Sequence, residues 1–214
     1  MSLTLDHVFV ITEPGASAAE RLIDLGLEEG SANVHPGQGT ANRRFFFAGF
    51  VLELLYVSDV DEARHGAGRD LNVLARHCDA DASPFGLVVR VADPDTPPAF
   101  PNWRYFPDYF GGTLCFHVGE NSTDLAEPLC ICMPPALPRR SGPSTEPDNP
   151  DWRLTDVEIG VPTDAPSAVL QHFAAIDGVH VALGQAHRLT LRFNDGAAGR
   201  SEDLAPELPL LVRW

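Results

Sequence analysis

The sequence predicts an α+β fold, and two observations support this prediction. Runs of β-branched and aromatic residues, the first at 5–11, alternate with a few amphipathic segments, the first at 16–27. The same order of strand, helix and strands returns near the end of the chain, after a proline-rich segment. With 214 residues and a hydrophobic fraction of 44%, the chain can fill the core of one large domain or of two small fused modules.

Local patterns predict the elements of the first part. Residues 16–27 place Ala19, Leu22 and Leu27 at helical spacing, and we expect this helix on the outer face of the sheet that the first strands form. Five prolines between 93 and 107 exclude regular structure in that segment. The remaining predictions for this part are a short strand near 33–35, strands at 44–48, 51–57, 84–91, 113–118 and 129–133, and a helix at 61–78.

The last third of the chain begins with a linker. Residues 134–150 contain six prolines, which is typical of a linker or of a segment wrapped over the surface. The pattern then predicts strands at 153–161, 187–193 and 208–214 and a helix at 165–176, so that 154–161 would repeat the role of 5–11. We therefore expect three parts: a first module with additional strands at 1–133, a linker at 134–152, and a second, degenerate β-α-β-β module at 153–214 packed on the first.

Composition excludes several classes of partner and reaction. The formal net charge of -15 would repel nucleic acid and anionic membranes, and would attract a cation or a cationic ligand. All 15 basic residues are arginines, which excludes chemistry that needs a Schiff-base lysine or the lysine of a P-loop. No apolar run is long enough to span a bilayer, and the first residues do not resemble a signal peptide, so we expect a cytoplasmic protein. The four cysteines lack zinc-ribbon spacing, and we interpret them as reduced thiols.

Two polar residues interrupt predicted strands that are otherwise apolar. His7 lies in the first strand, and Glu53 lies within Val51–Leu55. A carboxylate in such a strand is unfavourable unless it is paired or binds a metal, and histidine with carboxylate is a common ligand set for divalent ions. The alternative is structural, with a local hydrogen bond at His7 and an ion pair from Glu53 to Arg43 or Arg44. By alternation, His7 and Glu53 should face one cavity and lie close enough to share a cation.

These residues carry a resemblance to a known family. Leu5-Asp6-His7-Val8, the following helix, the segment from His35 to Phe45 and the strand Leu52-Glu53-Leu54 resemble glyoxalase-like domain proteins of the vicinal oxygen chelate superfamily. The resemblance covers residues 4–58, and it is weaker for 153–214. It implies paired βαβββ modules that form an open, barrel-like mixed sheet around a pocket. In such proteins each module typically gives one His and one Glu to a divalent ion, such as zinc, iron, manganese or nickel.

The second half of the chain departs from that pattern. Asp156 stands where the second histidine is expected, and the strand 189–192 contains no glutamate. If residues 84–133 supply the second half-barrel instead, His117 is the best remaining ligand candidate. The candidate metal ligands are therefore His7, Glu53 and His117, with Glu53 also the candidate catalytic residue, and the candidate substrate contacts are His35, Asn42 and Arg43.

Two functions remain open from the sequence. The first, which we favour slightly, is a small-molecule enzyme in which a divalent ion polarises neighbouring substrate oxygens, as an isomerase, a lyase or a dioxygenase would require. The second is a metal-free binding protein that resembles drug-sequestering proteins such as those for bleomycin resistance. In both cases the expected partner is a small molecule rather than nucleic acid or membrane, and a homodimer stays open.

Overall fold

The computed structural model describes residues 3–93, 96–137 and 146–214, and within them the strands form two sheets. The fold is α+β, as predicted: a mixed sheet curls into an open half-barrel, and the helices are few and short. The first sheet contains β1 (Leu3–Thr12), β2 (Asn33–His35), β3 (Thr40–Phe47), β4 (Phe50–Val57), β5 (Phe85–Val91), β6 (Asn102–Tyr105), β7 (Phe116–Gly119) and β8 (Leu129–Cys132). The second contains β9 (Leu154–Val161), β10 (Val179–Leu183), β11 (Arg188–Phe193), β12 (Ser201–Asp203) and β13 (Leu210–Arg213). The α-helices are α1 (Ala19–Asp24), α2 (Val60–His65), α3 (Val73–Cys78) and α4 (Ala168–Ala174).

The first sheet consists of two halves with the same strand order. Its described strands follow the order β2-β3-β4-β1-β5-β8-β7-β6. In one half β1 pairs with β4 in parallel, in the other β5 pairs with β8 in parallel, and β1 and β5 join the halves as antiparallel neighbours. The unit that completes the half-barrel therefore comes from residues 85–132, which is one of the two alternatives that the sequence left open.

The strands after residue 153 build a separate sheet in the order β10-β9-β11-β13-β12. Its strand β9 resembles β1 in having one parallel and one antiparallel neighbour. The parallel neighbour of β9 is the first strand after the helix, however, whereas that of β1 is the third. The suggested repeat thus holds for the directions of the two neighbouring strands and not for the connectivity. The boundaries 1–133, 134–152 and 153–214 stay a prediction.

The two faces of the first sheet pack against different layers. Val8 and Leu52 point to one face and join a core cluster with Leu22 of α1 and Ile159 of the second sheet. The predicted position of the first helix on the outer face is confirmed by this packing, although the helix is shorter than 16–27. The opposite face carries a second apolar cluster, to which Phe9, Leu55 and residues of the α2–α3 region contribute. Strand alternation therefore separates the side of the sheet that binds the second sheet from a concave side.

Two element predictions are wrong for reasons that lie in the backbone. The predicted helix at 61–78 is two helices joined through a 3₁₀ turn at Arg69–Leu71. The backbone becomes extended at Gly66, where α2 ends and where a side chain would collide with the carbonyl of Gly37. Asn72 has a φ of 57° before α3 begins. The segment 93–107 was expected to be irregular, yet β6 forms between Pro101 and Pro107, where no proline interrupts the pairing with β7.

The strands β10 and β12 were not predicted. Both are short, and they lie at the two edges of the second sheet. No helix in the described part of the chain has the length and apolar character needed to cross a bilayer.

Candidate functional site

The concave side of the first sheet encloses a cavity of about 590 Å³. Its walls are mostly apolar and rich in aromatic rings, and its polar side chains come from β1 to β5 and from the segment around Gln38. A volume of this size suits a small organic molecule. The aromatic side chains that line it are Phe9, Phe46, Phe47, Phe50, Tyr105, Tyr109, Phe110 and Phe116.

His7 enters this cavity beside Asp6 because of an irregularity in β1. The antiparallel register with β5 shifts between Leu5 and His7, so Asp6 is an extra residue, and both Asp6 and His7 line the cavity. The Nδ1 atom of His7 lies 2.8 Å from Oδ1 of Asp6. Because a carboxylate accepts hydrogen bonds, Nδ1 carries the proton, and the lone pair of the neutral ring is on Nε2.

Asp6 is in turn held by Arg90 of β5. The Nε–H of Arg90 donates to Oδ2 of Asp6, and its Nη1 donates to the carbonyl of Leu137 at 2.7 Å. Burial alone would raise the pKa of Asp6, but the hydrogen bonds and charges of His7 and Arg90 lower it to about 2. Asp6 is thus ionised at neutral pH and fixes the orientation of the imidazole.

Glu53 lies diagonally across from His7 on the adjacent parallel strand. Only 8% of this residue is exposed. The Nδ2 amide of Asn42 on β3 donates to Oε1 of Glu53, while Oε2 lies 3.6 Å from Nε2 of His7. Both atoms of this last pair are acceptors when His7 is neutral. The arrangement therefore favours a hydrogen donor or a cation placed against both atoms, and Nε2 of His7 can also accept a proton from a bound molecule.

His35 also lines the cavity, at the end of β2. Its Nδ1 lies 2.9 Å from Oγ1 of Thr40, and its ring lies 5.2 Å from that of Tyr109. Burial lowers the pKa of His35, and the nearby charge of Glu53 opposes that effect. The ring is therefore neutral at neutral pH.

The structure brings three of the sequence-predicted residues to the cavity wall and places a fourth behind it. His7, Glu53 and His35 line the cavity. Asn42 is 1% exposed and supports Glu53 from behind, and it also accepts the backbone N–H of Asn33 at 2.7 Å. Asn42 therefore does not line the cavity, and it supports the carboxylate of Glu53.

Arg43 and His117 do not line the cavity. Arg43 points to the other face of β3, where its guanidinium binds Glu29 at 2.5 Å and Glu20 at 2.9 Å. It is Arg44, one position further along the strand, that lines the cavity. His117 alternates with Phe116 on β7, so that Phe116 faces the cavity and His117 bonds to Asn102 at 2.7 Å. His117 is thus separated from His7 and Glu53.

Several cavity residues were missed from the sequence. Asp6 precedes His7 directly, but strict alternation assigns it to the opposite face, and the bulge that reverses this assignment has no signature in the sequence. Gln38 lies in the glycine-containing segment 36–40, and its side chain accepts a hydrogen bond from Tyr105 of the proline-rich region. The tyrosines Tyr105 and Tyr109 could have been found from the aromatic content of 103–110, where polar-tipped rings suit a binding surface.

A resident divalent ion fits this site poorly. The described residues contain no group of three or more His, Cys, Asp or Glu side chains arranged to hold a metal. His7 and Glu53 offer two donor atoms, and one oxygen of Glu53 is already bonded to Asn42. The strand β8, which corresponds to β4 in the other half of the sheet, turns the apolar Leu129 and Ile131 toward the cavity. Protein sites for such ions usually supply three or four ligands.

One solved structure is similar to the fold of the whole chain. A crystal structure of a hypothetical protein from Staphylococcus aureus is similar over 100% of this chain and 98% of its own, with a TM-score of 0.60 and 10% identity. A mutant of 4-hydroxymandelate synthase from Streptomyces coelicolor is similar over 89% of this chain and 70% of its own, with a TM-score of 0.48 and 10% identity. No curated protein sequence matches the chain. Residues 5–97 match the family model that is described as a glyoxalase-like domain.

Proposed function

We propose that the chain is a glyoxalase-like enzyme that binds a small organic molecule in the cavity and uses His7 as its proton acceptor. The observation that carries the proposal is the convergence of Nε2 of His7 and Oε2 of Glu53, 3.6 Å apart, in the wall of a mostly apolar cavity. Two acceptors that face each other are satisfied when a ligand donates an O–H or N–H between them. The preferred ligand therefore carries a hydroxyl or amine hydrogen on an apolar, ring-sized body.

The hydrogen-bonded series Arg90–Asp6–His7 favours an enzyme over a protein that only binds its ligand. A carboxylate that holds Nδ1–H keeps Nε2 basic and stabilises the imidazolium that forms after proton transfer. His7 and Arg90 together lower the pKa of Asp6, so its carboxylate is ionised for this task. A protein that only sequesters an apolar compound has no need of an oriented imidazole, and it would return its ligand unchanged.

A metal-dependent enzyme is the second candidate, and the same convergence favours it. A divalent ion could take Nε2 of His7 and Oε2 of Glu53 as two ligands, and it would supply Lewis acidity to substrate oxygens. The lack of a third ligand among the described residues argues against tight binding. We therefore prefer the metal-free enzyme because His7 and Glu53 supply too few ligands for a tightly bound ion.

A matched pair of probes tests the proposal. 4-Ethylphenol carries the required O–H, whereas 4-ethylanisole has the same ring with a methyl ether in its place. We expect wild-type protein to bind the phenol about tenfold more tightly, because a hydrogen bond to a charged group contributes about 1.5–3 kcal/mol. His7→Gln and Glu53→Gln should each reduce this preference, and His117→Gln, which changes a histidine outside the cavity, should leave it intact.

Two outcomes would contradict parts of the proposal. Equal binding of phenol and ether would show that the acceptor pair of His7 and Glu53 does not recognise the ligand. Stoichiometric metal in untagged protein, measured by elemental analysis and lost in both His7→Gln and Glu53→Gln, would support the second candidate instead.

A further inference from the structure

A chain of buried hydrogen bonds leads from two tyrosines to His35. The hydroxyl of Tyr105 donates to Oε1 of Gln38 at 3.0 Å, and that of Tyr109 reaches the same oxygen at 3.5 Å. The Nε2 amide of Gln38 donates to Oγ1 of Thr40 at 2.8 Å, and this oxygen lies 2.9 Å from Nδ1 of His35. These side chains come from β2, β3, β6 and the segments beside them, so they are held by both halves of the first sheet.

The donors and acceptors along this chain define one arrangement of hydrogens. Two phenol hydrogens point to Gln38, and only its carbonyl oxygen can accept them, so its amide nitrogen must face Thr40. Thr40 is fully buried and already accepts from that amide. Its own hydroxyl hydrogen therefore goes to Nδ1 of His35, the acceptor within reach among the described residues.

His35 consequently presents a hydrogen-bond donor to the cavity, whereas His7 presents an acceptor. A neutral imidazole that accepts at Nδ1 carries its hydrogen on Nε2, whereas His7 donates from Nδ1 to Asp6 and has its lone pair on Nε2. In the described part of the chain Nε2 of His35 makes no hydrogen bond to protein. The lowered pKa of His35, which burial causes, keeps the ring neutral and is consistent with this assignment.

We propose that His35 is a neutral Nε2–H donor to an acceptor oxygen of the bound molecule, and that Thr40 and Gln38 are positioning residues that fix its tautomer. This inference rests on the proposed function, since it adds a second contact to the same ligand. A molecule with a hydroxyl at one position and a carbonyl-type oxygen at another would meet His7 and Glu53 with its donor and His35 with its acceptor. When His7 removes the proton, charge that delocalises onto the carbonyl oxygen would be stabilised by His35, as a fixed hydrogen-bond donor does in an oxyanion site.

The tautomer can be tested without any ligand. Long-range proton–nitrogen correlation spectra of ¹⁵N-labelled protein at neutral pH distinguish protonated from unprotonated imidazole nitrogens. We expect His35 to be protonated on Nε2 alone and His7 on Nδ1 alone. Thr40→Val should let His35 populate both tautomers, and Thr40→Ser, which keeps the hydroxyl, should restore the single form. A wild-type His35 that is protonated on Nδ1, or on both nitrogens, would overturn the proposal.

The contact with ligand is tested by a second probe pair, 4-hydroxyacetophenone and 4-ethylphenol, which differ in the carbonyl oxygen. We expect the ketone to bind about tenfold more tightly to wild-type protein, and this advantage to disappear in His35→Phe. Equal affinities for wild-type protein would overturn the contact even if the phenol is still preferred over its methyl ether. The comparison with the ether reports on His7 and Glu53 alone, so failure of this inference and failure of the proposed function are distinguishable.

Discussion

The Nε2 atom of His7 lies 3.6 Å from Oε2 of Glu53, across two adjacent parallel strands. In the register of β1 and β4, Phe9 is opposite Glu53, and His7 is two residues earlier on the same face. The pair is therefore a diagonal contact whose geometry the sheet itself sets. The second oxygen of Glu53 is held by Asn42 of the next strand, so three neighbouring strands fix the carboxylate.

Asn42→Leu should destabilise the fold by about 1–3 kcal/mol, because it leaves the buried carboxylate of Glu53 without its donor. The free energy of unfolding, obtained from urea titration, is the measurement. In the background of Glu53→Met the same substitution should have a smaller effect, since no carboxylate is then left unpaired. An equal loss in both backgrounds would show that Asn42 acts through packing or through its bond to Asn33.

Gly86→Ala should destabilise the fold by about 1–3 kcal/mol through overpacking. Gly86 of β5 is opposite Phe9 of β1, and a Cβ at this position would collide with the Phe9 ring. The ring covers the glycine on the cavity side, as aromatic residues do across strands. Adding Phe9→Leu to the alanine variant should recover part of the loss in urea titration. If the double variant is no more stable than Gly86→Ala, the ring is not the obstacle.

Alternation and element order were sufficient to predict the main elements at the start of the chain. The strands at 5–11 and 51–57, the hairpin that joins β3 to β4, and the helix on the outer face all follow from residue patterns that tertiary contacts do not override. The interruption near 66–72 depends on a close approach to Gly37, which lies almost thirty residues earlier in the chain. Contacts of this kind leave no periodic signal in a single sequence.

The candidate site was predictable at positions where a polar residue interrupts an otherwise apolar strand. His7 and Glu53 stand out as polar residues in apolar strands, and both line the cavity. Arg43 was a candidate substrate contact, but strand alternation places it on the opposite face of β3, and Arg44 lines the cavity. Asp6 could not be assigned, because its orientation depends on a bulge in β1 that the sequence does not indicate.

Stability should fall as the pH drops from above to below about 6.5, the value for an unperturbed histidine, and His187 should account for part of the change. Burial lowers the pKa of His187, although its hydrogen bond to the carbonyl of Asp81 at 3.1 Å opposes the effect. The unfolded chain then binds a proton at higher pH than the folded chain does. The stabilisation from neutral His187 is full above the unfolded pKa and is lost as the pH falls toward the folded value.

Urea titrations of wild type and His187→Gln across this pH range provide the measurement. The variant should show a shallower fall in the free energy of unfolding, with the exposed His65→Gln as the reference for loss of a histidine. A residual slope is expected in the variant because burial also lowers the pKa values of His35 and His117. A slope equal to that of wild type would contradict the assignment to His187.

Arg76→Met should be the most destabilising of the substitutions considered, with a loss of roughly 3–5 kcal/mol. The Arg76 side chain is 2% exposed, and its guanidinium donates to the backbone carbonyls of Ser83 and of the loop that precedes β8, including Glu127 at 2.6 Å. Burial lowers its pKa to about 10, so the group stays charged at neutral pH and holds these carbonyls together. Arg76→Lys should recover only part of the loss, because an ammonium has three donors and no planar fork. The control is Arg69→Met, at an exposed arginine in the preceding turn, which should change the free energy of unfolding by no more than about 0.5 kcal/mol. A comparable effect at Arg69 and Arg76 would show that the buried contacts with carbonyl groups do not stabilise the fold.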